Sequence, residues 1–114
     1  LPVEALVGKD VTFIGLGMHR IQIYFDDEAH IGIEGSWQLH DRAGMLVDED
    51  CNPPASRDTY RIHRLLLQHV TVTKLDAPRS FTLTFENGDA LTVADDSPHY
   101  ESFSIKINGR EFHV

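Results

Sequence analysis

Apolar and polar residues alternate at every step through Ile21-Gln22-Ile23-Tyr24-Phe25 and again through Phe81-Thr82-Leu83-Thr84-Phe85. That period of two belongs to strands with one buried and one wet face. The hairpin loops follow from register, because a slip of one residue turns the whole apolar set to solvent. A two-residue Asn87-Gly88 loop opposes Phe85 to Ala90 and points Leu91 and Val93 the wrong way. A three-residue loop, Glu86-Asn87-Gly88 with Gly88 left-handed, opposes Leu83 to Leu91 and Phe81 to Val93 and is the one predicted. The same register pairs Ile23 with Ile31 and Ile21 with Ile33, and it puts Glu28 where Gly88 sits. Mild strain or a different turn is expected there. In the last hairpin a two-residue Asn108-Gly109 turn opposes Ile105 to Phe112 and Phe103 to Val114, so a type I′ turn is predicted.

Sliding the chain against itself by about 60 residues reveals an internal repeat. Residues Leu6 to Phe13 lie over Leu65 to Val72. After a one-residue insertion Ile21, Ile23 and Phe25 fall on Phe81, Leu83 and Phe85, Ile31 and Ile33 fall on Leu91 and Val93, and Asp26 falls on Glu86. Trp37 and Leu39 take the part of Phe103 and Ile105, which gives each copy a fourth strand. The repeats cover about residues 5–40 and 64–114, with a linker and helix at 41–67. Turn residues crowd that linker, at Asp41-Arg42-Ala43-Gly44 and from Asp48 to Pro54. Ser56 or Asp58 is placed to cap a short helix that buries Tyr60, Ile62, His63, Leu66 and Leu67 on one face. The predicted fold is therefore mainly β, two pseudo-repeated antiparallel meanders of about four strands, packed as a sandwich or partly open barrel with one short helix between them.

A length of 114 residues suits a single domain, 1–114. Cys51 is the only cysteine, which excludes an intrachain disulfide and fits a reducing cytoplasm. No apolar run approaches the roughly 20 residues that span a bilayer, and the N-terminus lacks the pattern of a signal peptide, although the chain begins at Leu1 without a Met. No membrane association is expected. The formal net charge of −8 repels phosphate backbones, so no nucleic-acid partner is expected. The acid is clustered at Asp26-Asp27-Glu28, Asp48-Glu49-Asp50 and Asp95-Asp96. Such runs are usually solvated loop tips, and together they also suit a basic protein partner.

Candidate chemistry is sparse. None of the seven histidines has the close ligand spacing of a zinc site, so no metal or other cofactor is expected. Cys51 lies among Asp48, Glu49 and Asp50, whose charges oppose thiolate formation. Gly15-Leu16-Gly17 lacks the third glycine and the following helix of a dinucleotide loop. Register sets Arg20 opposite Glu34 on the wet face, where a surface ion pair accounts for both residues. Two segments at equivalent points of the repeat remain, Glu34-Gly35-Ser36-Trp37 and Pro98-His99-Tyr100-Glu101-Ser102-Phe103. An aromatic ring beside a carboxylate at a strand entrance can form a pocket, and packing in the core is the plainer account of Trp37 and Phe103. Trp37, Glu34, Tyr100 and Glu101 are the candidate binding residues, and no residue is assigned a catalytic role.

The order Leu6-x-Gly8-x-x-Val11, then Ile31-x-Ile33-Glu34-Gly35, an acidic loop at Asp48, Leu65-Leu66 before Val70, Phe85-x-x-Gly88 and Tyr100-Glu101-x-Phe103 resembles an uncharacterised bacterial family of small acidic β domains. The resemblance covers nearly the whole chain and implies a bacterial origin and a β-rich fold, with no established activity. The chain departs from it at Leu67-Gln68, where a second Leu-Leu-Gly is usual, and at Phe103, where Trp is usual. Small acidic bacterial domains of this kind often act as immunity proteins that neutralise a toxin, an analogy of fold rather than of site. Three expectations follow. The leading one is a non-enzymatic protein-interaction module, an immunity-type inhibitor of a basic toxin. The others are a small-ligand binder or weak hydrolase using Trp37, Tyr100 and Glu101, and a homo-oligomeric structural protein, such as a homodimer, pairing through its edge strands.

Overall fold

A computed structural model of the chain describes residues 2–17, 20–50, 60–76, 80–94 and 103–113. Ten strands run through them: β1 (Val11–Leu16), β2 (Ile21–Phe25), β3 (His30–Ile33), β4 (Ser36–His40), β5 (Leu46–Glu49), β6 (Val70–Asp76), β7 (Ser80–Phe85), β8 (Ala90–Ala94), β9 (Phe103–Ile107) and β10 (Arg110–His113). They form two antiparallel five-stranded sheets, ordered β1-β2-β3-β9-β10 and β5-β4-β8-β7-β6. The predicted registers are present. Ile23 faces Ile31 and Ile21 faces Ile33, Leu83 faces Leu91 and Phe81 faces Val93, and Ile105 faces Phe112. Val114, the expected partner of Phe103, lies outside the described residues.

The turns differ between the copies for the reason the residues suggest. In the second, the Gly88 amide donates to the Phe85 carbonyl at 2.9 Å and Gly88 sits at φ +91°. In the first, Asp27 and Glu28 both adopt positive φ, +56° and +61°, because Glu28 cannot take up the glycine conformation cheaply alone. The Asn108-Gly109 turn carries φ +53° and +79°, as a type I′ turn requires.

Each half contributes to both sheets, which the expected four-strand meanders did not include. β1-β2-β3 and β6-β7-β8 remain meanders, but the fourth strand crosses over in each case: β4 pairs with β8 and β9 pairs with β3. Exchanging β1 to β5 with β6 to β10 turns one strand order into the other. The equivalence extends to single bonds. Gly8 N donates to Val70 O at 2.7 Å and Leu67 N to Val11 O at 2.8 Å, while Val11 N donates to Gln68 O and Val70 N to Lys9 O. Equivalent bulges follow, at Val11/Phe13 and Val70/Val72. These bonds tie β1 to β6 only where the two strands begin, at the Val7–Val70 and Asp10–His69 bridges, so the sheets form a sandwich and not a closed barrel.

The core lies between the inward faces. Ile23, Ile31, Leu39, Leu83, Leu91 and Phe103 are wholly buried, each burial stabilising the fold by about 1.5–3 kcal/mol. Phe81 and Phe103 meet edge to face with centroids 5.0 Å apart, a favoured aromatic geometry. The expected helix is corrected. The described part of that region holds one 3-10 turn, Ile62–Leu65, matched in the first copy by Val3–Leu6. Ile62 and Leu65 are buried, whereas Leu66 and Leu67 point outward, because a 3-10 turn brings residues three apart onto one face. Ser56 and Asp58 lie outside the described residues.

A second correction concerns the acidic stretch at Asp48, read from sequence as a loop. Leu46–Glu49 is a strand and Asp48 is buried. Its Oδ2 accepts the amides of Arg61 at 2.7 Å and Ile62 at 3.0 Å, and its Oδ1 accepts the Glu49 amide. The carboxylate thus satisfies the first amides of the 3-10 turn from a distant strand.

Candidate functional site

Strand β3 ends at Ile33, and Glu34-Gly35 carries the chain to the other sheet, where β4 opens at Ser36. The return crossing, from Ala94 to Phe103, leaves from the strand that pairs with Ser36 and arrives beside Ile33. Glu34 and Trp37 therefore lie where the chain passes from the first sheet to the second. Tyr100 and Glu101 fall in the return crossing, outside the described residues. Trp37 faces inward, opposite Val93, and is only 3% exposed, so its ring belongs to the core. Glu34 stands on the outer face of the first sheet, where its carboxylate meets the Arg20 guanidinium at 2.9 Å, the pair that register implies. The fold therefore sets Trp37 and Glu34 in different layers.

Outside the first sheet, hydrogen-bonded neighbours form a row, Phe13, Tyr24, His30, Lys106 and Glu111. Tyr24 stacks on His30 at 4.4 Å, and Phe13 meets Tyr24 edge on at 5.6 Å. The next row is small in the middle, with Gly15, Gln22, Gly32 and Ser104. Arg20 lies across Gly32, where a Cβ would collide with the guanidinium. Burial pushes the His30 imidazole pKa below 6.5, helped by the positive charges of Arg20 and Lys106 and opposed by Glu111. The buried Nε2 of His30 and Nε of Arg20 have no hydrogen-bond partner.

The outer face of the second sheet has the same rows in other residues. Val72, Thr84, Ala90 and His40 stand for Phe13, Tyr24, His30 and Lys106, and Lys74, Thr82, Thr92, Gln38 and Glu49 form the next row. Thr82 and Thr92 share a hydroxyl hydrogen bond of 3.0 Å. Beside them opens a groove of about 300 Å³ lined by Ser36, Trp37, Gln38, Glu49, Asp50, Thr92 and Ala94. Its size is at the small end of ligand pockets, and its described lining carries two carboxylates and no cationic side chain. Asp50 is placed by its amide, which donates to the Trp37 carbonyl at 3.0 Å. Sequence reading assigned Glu49 and Asp50 to a loop tip and missed the groove. The available signal was register, since Glu49 opposes Gln38, but it required knowing that β5 exists.

A second depression, of about 450 Å³, lies among Pro2, Glu4, Ala5, Ile107, Asn108, Arg110 and Phe112, with Arg110 over the Phe112 ring at 5.7 Å. In the other half Asp48 takes the place of Phe112, and its carboxylate accepts the turn amides. Among the described residues no group of three or more His, Cys, Asp or Glu side chains is arranged to hold a metal ion, and no helix is long and apolar enough to cross a membrane.

No curated protein and no solved structure matches the chain. A family model does match, over residues 2–114, a span that takes in both sheets, both crossings and the groove. The chain belongs to DUF6188, a family of unknown function.

Proposed function

We propose that this chain is a non-enzymatic binding module for a basic protein, of the kind by which a bacterial cytoplasmic immunity protein neutralises a toxin. The carrying observation is the groove on the outer face of the second sheet. Glu49 and Asp50 line it together with Ser36, Gln38, Thr92 and Ala94, in a chain whose net charge is −8. Charge of one sign around a concave surface steers an oppositely charged partner into it. The ligand-binding or hydrolase reading rests on Tyr100 and Glu101, outside the described residues, and on Trp37, whose ring is in the core.

The test is a side-by-side pull-down from the native lysate with the parent chain and with Glu49→Lys/Asp50→Lys. A basic protein held in near-equal amount by the parent, released by moderate salt and absent from the variant supports the reading. Equal capture by both, or no basic protein on the parent, sinks it.

A second reading, homo-oligomerisation, is favoured by a different observation. The edge strands β1 and β6 expose apolar residues at equivalent positions, Phe13 with Val72 and Leu16 with Leu75, all about half exposed. Open edges of this kind can pair with another chain. Light scattering of the purified protein decides it: a dimer mass that persists in high salt and is lost in Phe13→Lys/Val72→Lys supports pairing, and a monomer at all salts rejects it.

A further inference from the structure

The edge strands of the two sheets are not guarded alike. β5 carries Glu49, β10 carries Arg110 and Glu111, and β6 carries Lys74 and Asp76, whereas β1 has no charged side chain from Val11 to Leu16. Charge on an edge is a common guard against pairing with another chain, and β1 lacks it. The contrast between the halves is sharpest at one equivalent position, where Gly15 opposite Gln22 corresponds to Lys74 opposite Thr82. The hairpin sets which backbone groups of β1 are open. The Gly17 amide donates to the Arg20 carbonyl at 2.8 Å, so Gly15 and Phe13 bond across to Gln22 and Tyr24, and Ile14 and Leu16 turn their amides and carbonyls away from β2. Among the described residues no strand pairs with β1 on that side. Ile14 and Leu16 belong to the inward row, opposite Ile23 and Ile21, yet Leu16 is 45% exposed. On the outer face the Phe13 ring comes within 3.2 Å of the place a Gly15 Cβ would take, so the ring covers the glycine from its own strand.

We infer that β1 is the seam of a twofold dimer, running antiparallel to β1 of a second copy with Gly15 on the axis; this rests on the homo-oligomer reading above and names its edge and register. Ile14 of each copy faces Leu16 of the other, and each such pair exchanges two hydrogen bonds between the open backbone groups. The inward apolar row then runs from one core into the next, and the two first sheets become one. The glycines meet on the axis with no side chain between them, and the Phe13 rings flank them. Charge selects β1 as its own partner. A net charge of −8 on each chain opposes self-association, and this edge brings no further charge to the seam. The same register in β6 would set Lys74 against Lys74, and like charges directly opposite one another are destabilising.

The test uses the full chain with Cys51→Ser, carrying either Gly15→Cys or Lys74→Cys, under mild oxidation. Positions of this phase in an antiparallel pair have Cα atoms about 4.5 Å apart, within reach of a disulfide. Gly15→Cys should give a covalent dimer at least about tenfold faster than Lys74→Cys. In the unsubstituted chain, raising the concentration should slow hydrogen exchange at the Ile14 and Leu16 amides by at least about tenfold and leave Thr73 and Leu75 unchanged; this measurement decides if Gly15→Cys does not fold. A dimer mass in light scattering with cross-linking through Lys74→Cys, or only on mixing the two variants, overturns the β1 seam and leaves the homo-oligomer reading standing. So does a dimer mass with no protection at Ile14 and Leu16. A monomer at every concentration overturns both.

Discussion

The two halves of this chain build the same frame from different residues, and the differences separate what the fold requires from what each half adds. At one equivalent pair of positions the first half has Ala5 and Ala29, while the second has Arg64 and Asp89. Asp89 is buried, with its side chain 2% exposed, and meets the Arg64 Nε at 2.8 Å and the Asn87 amide group at 3.0 Å. An apolar pair and an ion pair therefore serve one place, as expected where attraction and desolvation nearly cancel. The halves also differ at the second residue after the 3-10 turn. Gly8 sits at φ +86° and its counterpart Leu67 at +68°, with the leucine side chain 79% exposed. The backbone conformation is a demand of the frame, and the second half meets it with an unsuited residue.

The largest effect is expected where the halves agree. Ile23→Ala and Leu83→Ala delete equivalent, fully buried side chains, and each should cost about 2–5 kcal/mol in denaturant unfolding. A difference between them of more than about 2 kcal/mol would break the equivalence of the two sheets, given the usual spread at fixed chemistry. Next is Arg64→Ala, which leaves the Asp89 carboxylate without its cation. Because Arg64 is itself 44% exposed, water can enter, and the expected loss is about 1–3 kcal/mol rather than the full cost of a buried charge. Arg64→Ala/Asp89→Ala copies the first half and should recover most of that loss. A double variant no better than the single one would show that the halves are not interchangeable here.

Leu67→Gly should stabilise the protein by about 0.5–1 kcal/mol, the relief of left-handed strain less the added freedom of glycine in the unfolded chain. Gly8→Leu should destabilise it, and thermal melts of the two variants check the opposed signs. The smallest effect concerns His30, which has Ala90 as its counterpart. Its folded pKa is lowered below 6.5 by burial and by Arg20 and Lys106, so below 6.5 the unfolded chain binds more protons than the folded one. Stability then falls as pH drops through that range and is flat above it. His30→Gln should flatten this part of the pH profile, and an unchanged profile would assign the acid sensitivity to other groups.

One ion pair on the outer face was legible in the residues alone. The Arg20–Glu34 pair follows from the register that keeps Ile21 and Ile33 inward, because alternation ties each polar position to its neighbour across the strand. Glu49 and Asp50 were not legible as groove walls, because an Asp-Glu-Asp run reads as a solvated tip unless something consumes its first carboxylate. That something is the pair of amides at Arg61 and Ile62, 13 and 14 residues further along the chain.

The sequence by itself determined the alternating hairpin strands, the registers that keep their apolar residues inward, the three hairpin turns and the repeat, since each depends on alternation and turn chemistry among near neighbours. Only the tertiary structure decided where β4 and β9 go. An inward Trp37 or Phe103 alternates identically whichever sheet receives it, and the choice depends on pairings with Val93 and Ile33 made across 56 and 70 residues. Local periodicity carries no information about so distant a partner.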